Sequence, residues 1–159
     1  MSMNETEEIT NENTLLASRW QRLWASLIDG LIIMVVTIPA MYFTGGFDLV
    51  EEGREPSLIY GLMIALIGVA FFVLINGKLL LSHGQTIGKQ VLKIKIVDME
   101  DNLPTQNHFI KRYAMYFALG QIPVAGPFLS IINILIIFGK EKRCGHDYFA
   151  ETKVVTSEA

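Results

Sequence analysis

At 159 residues the chain has room for one domain, and a composition of 51% hydrophobic and only 18% charged residues takes it out of the usual soluble range, towards a membrane protein. Thirteen Lys and Arg against 16 Asp and Glu leave a formal charge of −3 and no basic footprint for nucleic acid. The single cysteine, Cys144, excludes an intrachain disulfide.

Residues 1–17 are polar and acidic and carry no apolar pattern, so they read as a flexible tail. A secretory signal needs a basic start and a short apolar core. Here the start is acidic and the apolar run is long, which predicts an uncleaved first span over residues 23–43. Trp20 and Trp24 suit its interfacial end, and Pro39 lies near the far end. Inside the run stands one carboxylate, Asp29. It follows Arg22 by seven residues, which puts both on one helix face roughly 10 Å apart, with Ser26 between them. A lone ionised Asp in lipid costs about 2.5–3.5 kcal/mol, so Asp29 requires a partner.

Residues 44–57 read as a short, acidic, Gly-rich turn region. A second span is predicted over residues 58–81, uncharged from Leu58 to Ile75, then carrying Asn76 and an interfacial Lys78. Phe71 and Phe72 read as lipid-facing. Beyond it, His83 to Gln90 has a phosphate-loop flavour. The glycine spacing is one residue short, however, and the stretch precedes a strand instead of following one. A tight turn with Gly84 and Gly88 in special backbone geometry is the expectation. Residues 91–97 alternate around Leu92, Ile94 and Ile96, a strand signal that ends in a turn at residues 99–102. A lone strand leaves its backbone unmatched, so residues 153–156 are expected to pair with it. Thr105 or Asn107 is placed to cap the next helix.

Residues 113–139 are uncharged but broken at 121–127 by two prolines and a glycine. Either one kinked span results, or two short helices joined by a bend. If the chain turns back there, twelve of the 13 basic residues share one side; if it crosses, eight do. The positive-inside rule favours the turn, with both termini cytoplasmic. That topology returns Asp147 to the entrance of the first span. Arg22, Asp29 and Asp147 are then expected in one polar cluster, with Arg19, Asn76, Lys78, Thr86, Gly88 and Lys89 as secondary candidates. The cluster would serve a cation or proton path, or else fix how the helices fit together. Cys144, His146 and Asp147 lack the paired spacing of a zinc site, and no nucleophile–base set appears. No metal, cofactor or enzymatic activity is expected.

Three blocks resemble the RDD family of small bacterial membrane proteins, named for one Arg and two Asp. Arg22 to Asp29 (RLWASLID) resembles its R-x-x-A-x-x-x-D opening. Gly84 to Lys89 (GQTIGK) resembles its G-x-T-x-G-K element, and the strand after it corresponds. Lys111-Arg112 matches the basic start of the next segment, and Lys142 to Val155 resembles the closing K-R-x-x-H-D-x-x-A-x-T-x-V-V. Glu151 stands where the family usually has glycine. The resemblance implies the bacterial inner membrane and ion or solute transport for some members.

The expected fold is thus an all-α polytopic membrane protein: two full spans, a third interrupted segment as a helical hairpin, and a small cytoplasmic β element. Residues 18–156 form the membrane domain, between tails at 1–17 and 157–159. Its expected contacts are the lipid bilayer and a second copy or another membrane protein. The expected function is movement of ions or small solutes through the cluster. The alternative is a non-transporting assembly or accessory subunit.

Overall fold

The computed structural model describes residues 15–122 and 125–157. Helix α1 spans Arg19–Phe43. It starts where Ser18 and Gln21 cap each other: the Ser18 hydroxyl accepts from the Gln21 amide at 3.1 Å, and the Gln21 side chain accepts from the Ser18 amide at 3.0 Å. Helix α3 spans Leu58–His83, begins at a Ser57 cap and ends at Gly84, whose φ of 67° is the left-handed conformation that glycine adopts without strain. Among the described residues, α1 and α3 are the two helices long and apolar enough to cross a membrane. The connection between them is not simply a turn. Gly46–Glu51 forms a short helix, α2, steadied where Tyr60 and Thr44 join hydroxyls at 2.7 Å.

The buried residues of α3 are Gly68, Phe72, Asn76 and Leu80, a stripe recurring every four residues. On α1 the buried set is Arg22, Ala25 and Asp29. Most other large apolar side chains on both helices are exposed, Leu31, Val35, Leu66 and Leu74 among them. A water-soluble protein would hide such faces; a bilayer accepts them. Phe72 corrects the lipid-facing reading. It is buried against Tyr113 and Phe117, with ring centroids 4.8 and 5.8 Å away.

After Gly84 the chain forms α4 (Ile87–Val91) and then β1 (Ile94–Asp98). The strand therefore starts later than the alternation suggests. Thr86 caps a helical turn first, and the left-handed Lys93 then redirects the chain. Gly88 has no special dihedral. It is glycine because an added Cβ would collide with the Ala25 carbonyl of α1. β1 pairs antiparallel with β2 (Thr152–Thr156), Ile96 opposite Val154. The expected tail boundary also moves: Leu16 bridges Val155, and the Ala17 amide donates to Val154 at 3.0 Å, so residues 15–17 edge this sheet. The remainder of the expected N-terminal tail lies outside the described residues.

The 113–139 run is divided. Helix α5 (Gln106–Gly120) and helix α6 (Ala125–Leu135) flank the Pro-containing break, and a 3-10 turn (Ile136–Phe138) closes α6. Both ends of the run return to the first turns of α1. Arg112 of α5 shares a carboxylate with Arg22, and Arg19 donates to the carbonyls of Ile137, Phe138 and Gly139 at 3.1–3.2 Å. Those carbonyls are the ones a helix C-terminus leaves unpaired, so an arginine is well suited to them. Helix α7 (Gly145–Phe149) precedes β2.

Glu151, between α7 and β2, has φ 52°. This left-handed position costs a residue with a Cβ about 1 kcal/mol or more, and glycine nothing comparable. Glu151→Gly is expected to stabilise the protein by about 1 kcal/mol in thermal unfolding in detergent. No change, or a loss, would show that the glutamate is held by something the backbone argument lacks.

Candidate functional site

Asp147 sits at the centre of the site. It is 0% exposed, and its two oxygens face two arginines: Arg22 of α1 at one and Arg112 of α5 at the other. The first of these oxygens also accepts from the Cys144 amide at 2.8 Å, so Asp147 caps its own helix. Arg22 reaches the Lys142 carbonyl as well, and Arg112 donates to the Thr152 hydroxyl at 2.8 Å. Arg143 donates to the Asp147 and Thr152 carbonyls at 3.2 and 3.1 Å, and stacks over Tyr148. One carboxylate thereby ties α1, α5, α7 and β2 together. Burial works to raise the Asp147 pKa, but Arg112 and Arg22 outweigh it and hold the carboxyl well below the usual carboxylate range.

Asp29 forms a second knot with α4. It accepts from the Thr86 hydroxyl at 2.6 Å and the Gly88 amide at 2.8 Å, and Lys89 lies 3.7 Å away. Asn76 of α3 accepts the neighbouring Ile87 amide at 2.8 Å. The G-x-T-x-G-K stretch thus has a mechanical reading. Gly84 ends α3, Thr86 caps α4 and bonds Asp29, Gly88 lets α4 approach α1, and Lys89 offsets the carboxylate charge. Burial pushes the Lys89 amine down to about 8, against the pull of Asp29.

Of the expected residues, Arg22 and Asp147 touch directly, and Asp29 binds Thr86, Gly88 and Lys89 instead of either. Lys78 is exposed and Arg19 caps the 3-10 turn, so neither belongs to the cluster. Arg112, Asn133 and Arg143 are central but unforeseen. For Arg112 the signal was a basic residue directly before an uncharged run.

The Cys144, His146 and Asp147 ligand atoms lie within 4.8 Å of one another. The chemistry of this set does not suit a cation: two guanidiniums already neutralise Asp147, and burial pushes the Cys144 thiol up, away from the thiolate a metal needs. His146 Nδ1 meets the Asn133 amide at 2.9 Å, and Asn133 accepts the His146 amide at 2.8 Å. Burial, then Arg112, pushes the imidazole down to about 3, so it is neutral at pH 7.

Between these knots and α6 lies a cavity of about 530 Å³. Arg22, Asp29, Lys89 and Arg112 form its polar end, and Ile33, Phe72, Phe117 and Leu135 line its apolar side.

An Arg-Asp pair and a second Asp, buried at one end of two long apolar helices, define a small membrane protein. The model of the RDD family matches residues 16–151, and the chain belongs to that family. Among curated proteins it is similar to two from Bacillus subtilis strain 168. The uncharacterized membrane protein YteJ is 29% identical over 87% of this chain and 80% of its own length. The uncharacterized protein YxaI is 30% identical over 87% of this chain and 96% of its own length. No solved structure matches.

Asp147→Asn leaves two buried arginines without their counter-charge, whereas Arg22→Ala leaves Asp147 still paired to Arg112. The expected losses in unfolding free energy are about 3–5 kcal/mol for Asp147→Asn and about 2 kcal/mol for Arg22→Ala. Equal losses would contradict a carboxylate shared between two arginines. His146 gives a pH signature. Its folded pKa of about 3 lies below the ordinary 6.5, so the unfolded chain binds the proton first. Its contribution is complete above pH 6.5 and is lost as pH falls towards 3. The melting temperature should drop from pH 7 to pH 5, and His146→Gln should flatten that drop.

Proposed function

We propose that this RDD protein is a non-transporting, non-enzymatic assembly or accessory subunit in which the Arg22/Asp29/Asp147 cluster is structural. The observation that carries this reading is the double charge pairing of Asp147. A carboxylate at 0% exposure, with a guanidinium at each oxygen and a backbone amide at one of them, is already neutralised by the protein itself, which favours a structural role over ion or proton exchange. Asp29 is likewise engaged, by a hydroxyl, an amide and an ammonium. The proposed setting is the bacterial inner membrane with both termini cytoplasmic, supported by twelve of 13 basic residues falling on one side of a hairpin topology.

Solute movement is the second reading, favoured by the cavity that reaches Asp29 and Lys89. Ion flux separates the two. Purified protein in proteoliposomes should pass sodium, potassium and protons no faster than protein-free vesicles. Saturable flux, abolished by Asp29→Asn in a protein that still melts normally, would establish transport and overturn the structural reading.

A further inference from the structure

The cavity carries a charge imbalance that the two knots do not resolve. Its described lining holds Arg19, Arg22, Lys89, Arg112 and Lys142, with Asp29 the single acid among them. Asp147 lies behind this surface and is consumed by Arg22 and Arg112. Of the buried members of this group, Arg22, Lys89 and Arg112, Lys89 is the least satisfied. It is 8% exposed, yet its ammonium has contacts at 3.4 Å to Thr86 and 3.7 Å to Asp29. A good charge-assisted hydrogen bond is about 2.7–2.9 Å. A buried ammonium with three donors and two loose contacts has room for an anionic oxygen.

The rest of the cavity is of the opposite character. Ile33, Phe72, Phe117 and Leu135 give it an apolar wall, and the lining residues Trp20, Leu135 and Phe138 are themselves exposed, so it opens at the surface. That opening adjoins the apolar outer faces of α1 and α6, where Leu31, Ile131 and Ile132 are uncovered. A hydrophilic anion would fit the floor and leave the wall unmatched; a neutral acyl chain would do the reverse.

We propose that the cavity binds an anionic membrane lipid, its phosphate headgroup on the Lys89, Arg22 and Arg112 floor and an acyl chain along the apolar wall. The basic floor lies at the same end of α1 as the Lys/Arg-rich segments, so the lipid would come from the leaflet those segments face. Burial lowers the Lys89 pKa by more than Asp29 raises it, and the Arg112 and Arg22 charges add to the lowering.

Gly30 provides a second test. It lines the cavity, and an added Cβ there meets nothing within 4 Å, so the backbone accepts a side chain and Gly30→Phe is designed to occupy the cavity with its ring. The full chain is purified in a mild non-ionic detergent. Phosphatidylglycerol and phosphatidylcholine with identical acyl chains are added at equal concentration, and bound lipid is counted by native mass spectrometry. The expected result is one retained phosphatidylglycerol per chain, preferred about tenfold, with a raised melting temperature. Lys89→Gln should reduce that preference about fivefold, and Gly30→Phe should abolish retention while melting no lower than the parent. If Lys89→Gln does not fold, Gly30→Phe still decides. Equal retention of the two lipids, or unchanged retention in Gly30→Phe, would overturn the proposal. Stabilisation by inorganic phosphate as large as that by phosphatidylglycerol would also overturn it, by assigning the floor to a free anion.

Discussion

The structure depends on one buried carboxylate. Removing Asp147 from water is costly, and the cost is met only when both arginines reach it. Arg22 comes from the start of α1 and Arg112 from the start of α5, some ninety residues later. Neither helix can shift without exposing a charge to a poor environment. Stability and register are therefore coupled at this point: the pair specifies which ends of the helices meet, something that exposed leucines facing lipid cannot do.

Asp29 extends the same logic to the middle of the chain. Its acceptors are spent on the first turn of α4, whose amides would otherwise be unpaired in a buried site. With Asn76 holding the adjacent amide, α1 and α3 clamp one short helix between them. The sheet follows from that clamp. Gln85 donates to the Ile94 carbonyl at 3.0 Å, and the Ile96 amide donates to Gly84 at 2.7 Å, so β1 is set by the turn that Asp29 fixes.

Polarity in this molecule is turned outside in. Charged and hydrogen-bonding groups are concentrated at one internal end, and the long apolar faces of α1, α3 and α6 are left uncovered. Family membership gives the reason, since a membrane protein meets lipid on those faces. The cavity lies where the two regimes join, which explains why its lining holds both charged and apolar side chains.

Much of this was legible in the amino-acid sequence. An apolar run announces its length directly, so α1 and α3 could be placed, and a carboxylate at Asp29 declares the need for a partner. Alternation over residues 91–97 is a local property that marked the first strand, and the unmatched backbone of that strand called for its partner at residues 153–156. The division of the 113–139 run into α5 and α6 followed from its prolines and glycine. Other features depend on contacts between distant segments. That Phe72 turns inward is decided by Tyr113 and Phe117, because neighbouring phenylalanines look alike until a partner face exists. That Gly88 is an approach point depends on the Ala25 carbonyl opposite. The sharing of Asp147 between two arginines, and the pairing of Asp29 with Thr86 and Gly88, are likewise tertiary facts. Periodicity and charge determine where a helix begins and which residues need partners; only the folded chain decides which of several eligible donors arrives, because that choice is made by distance.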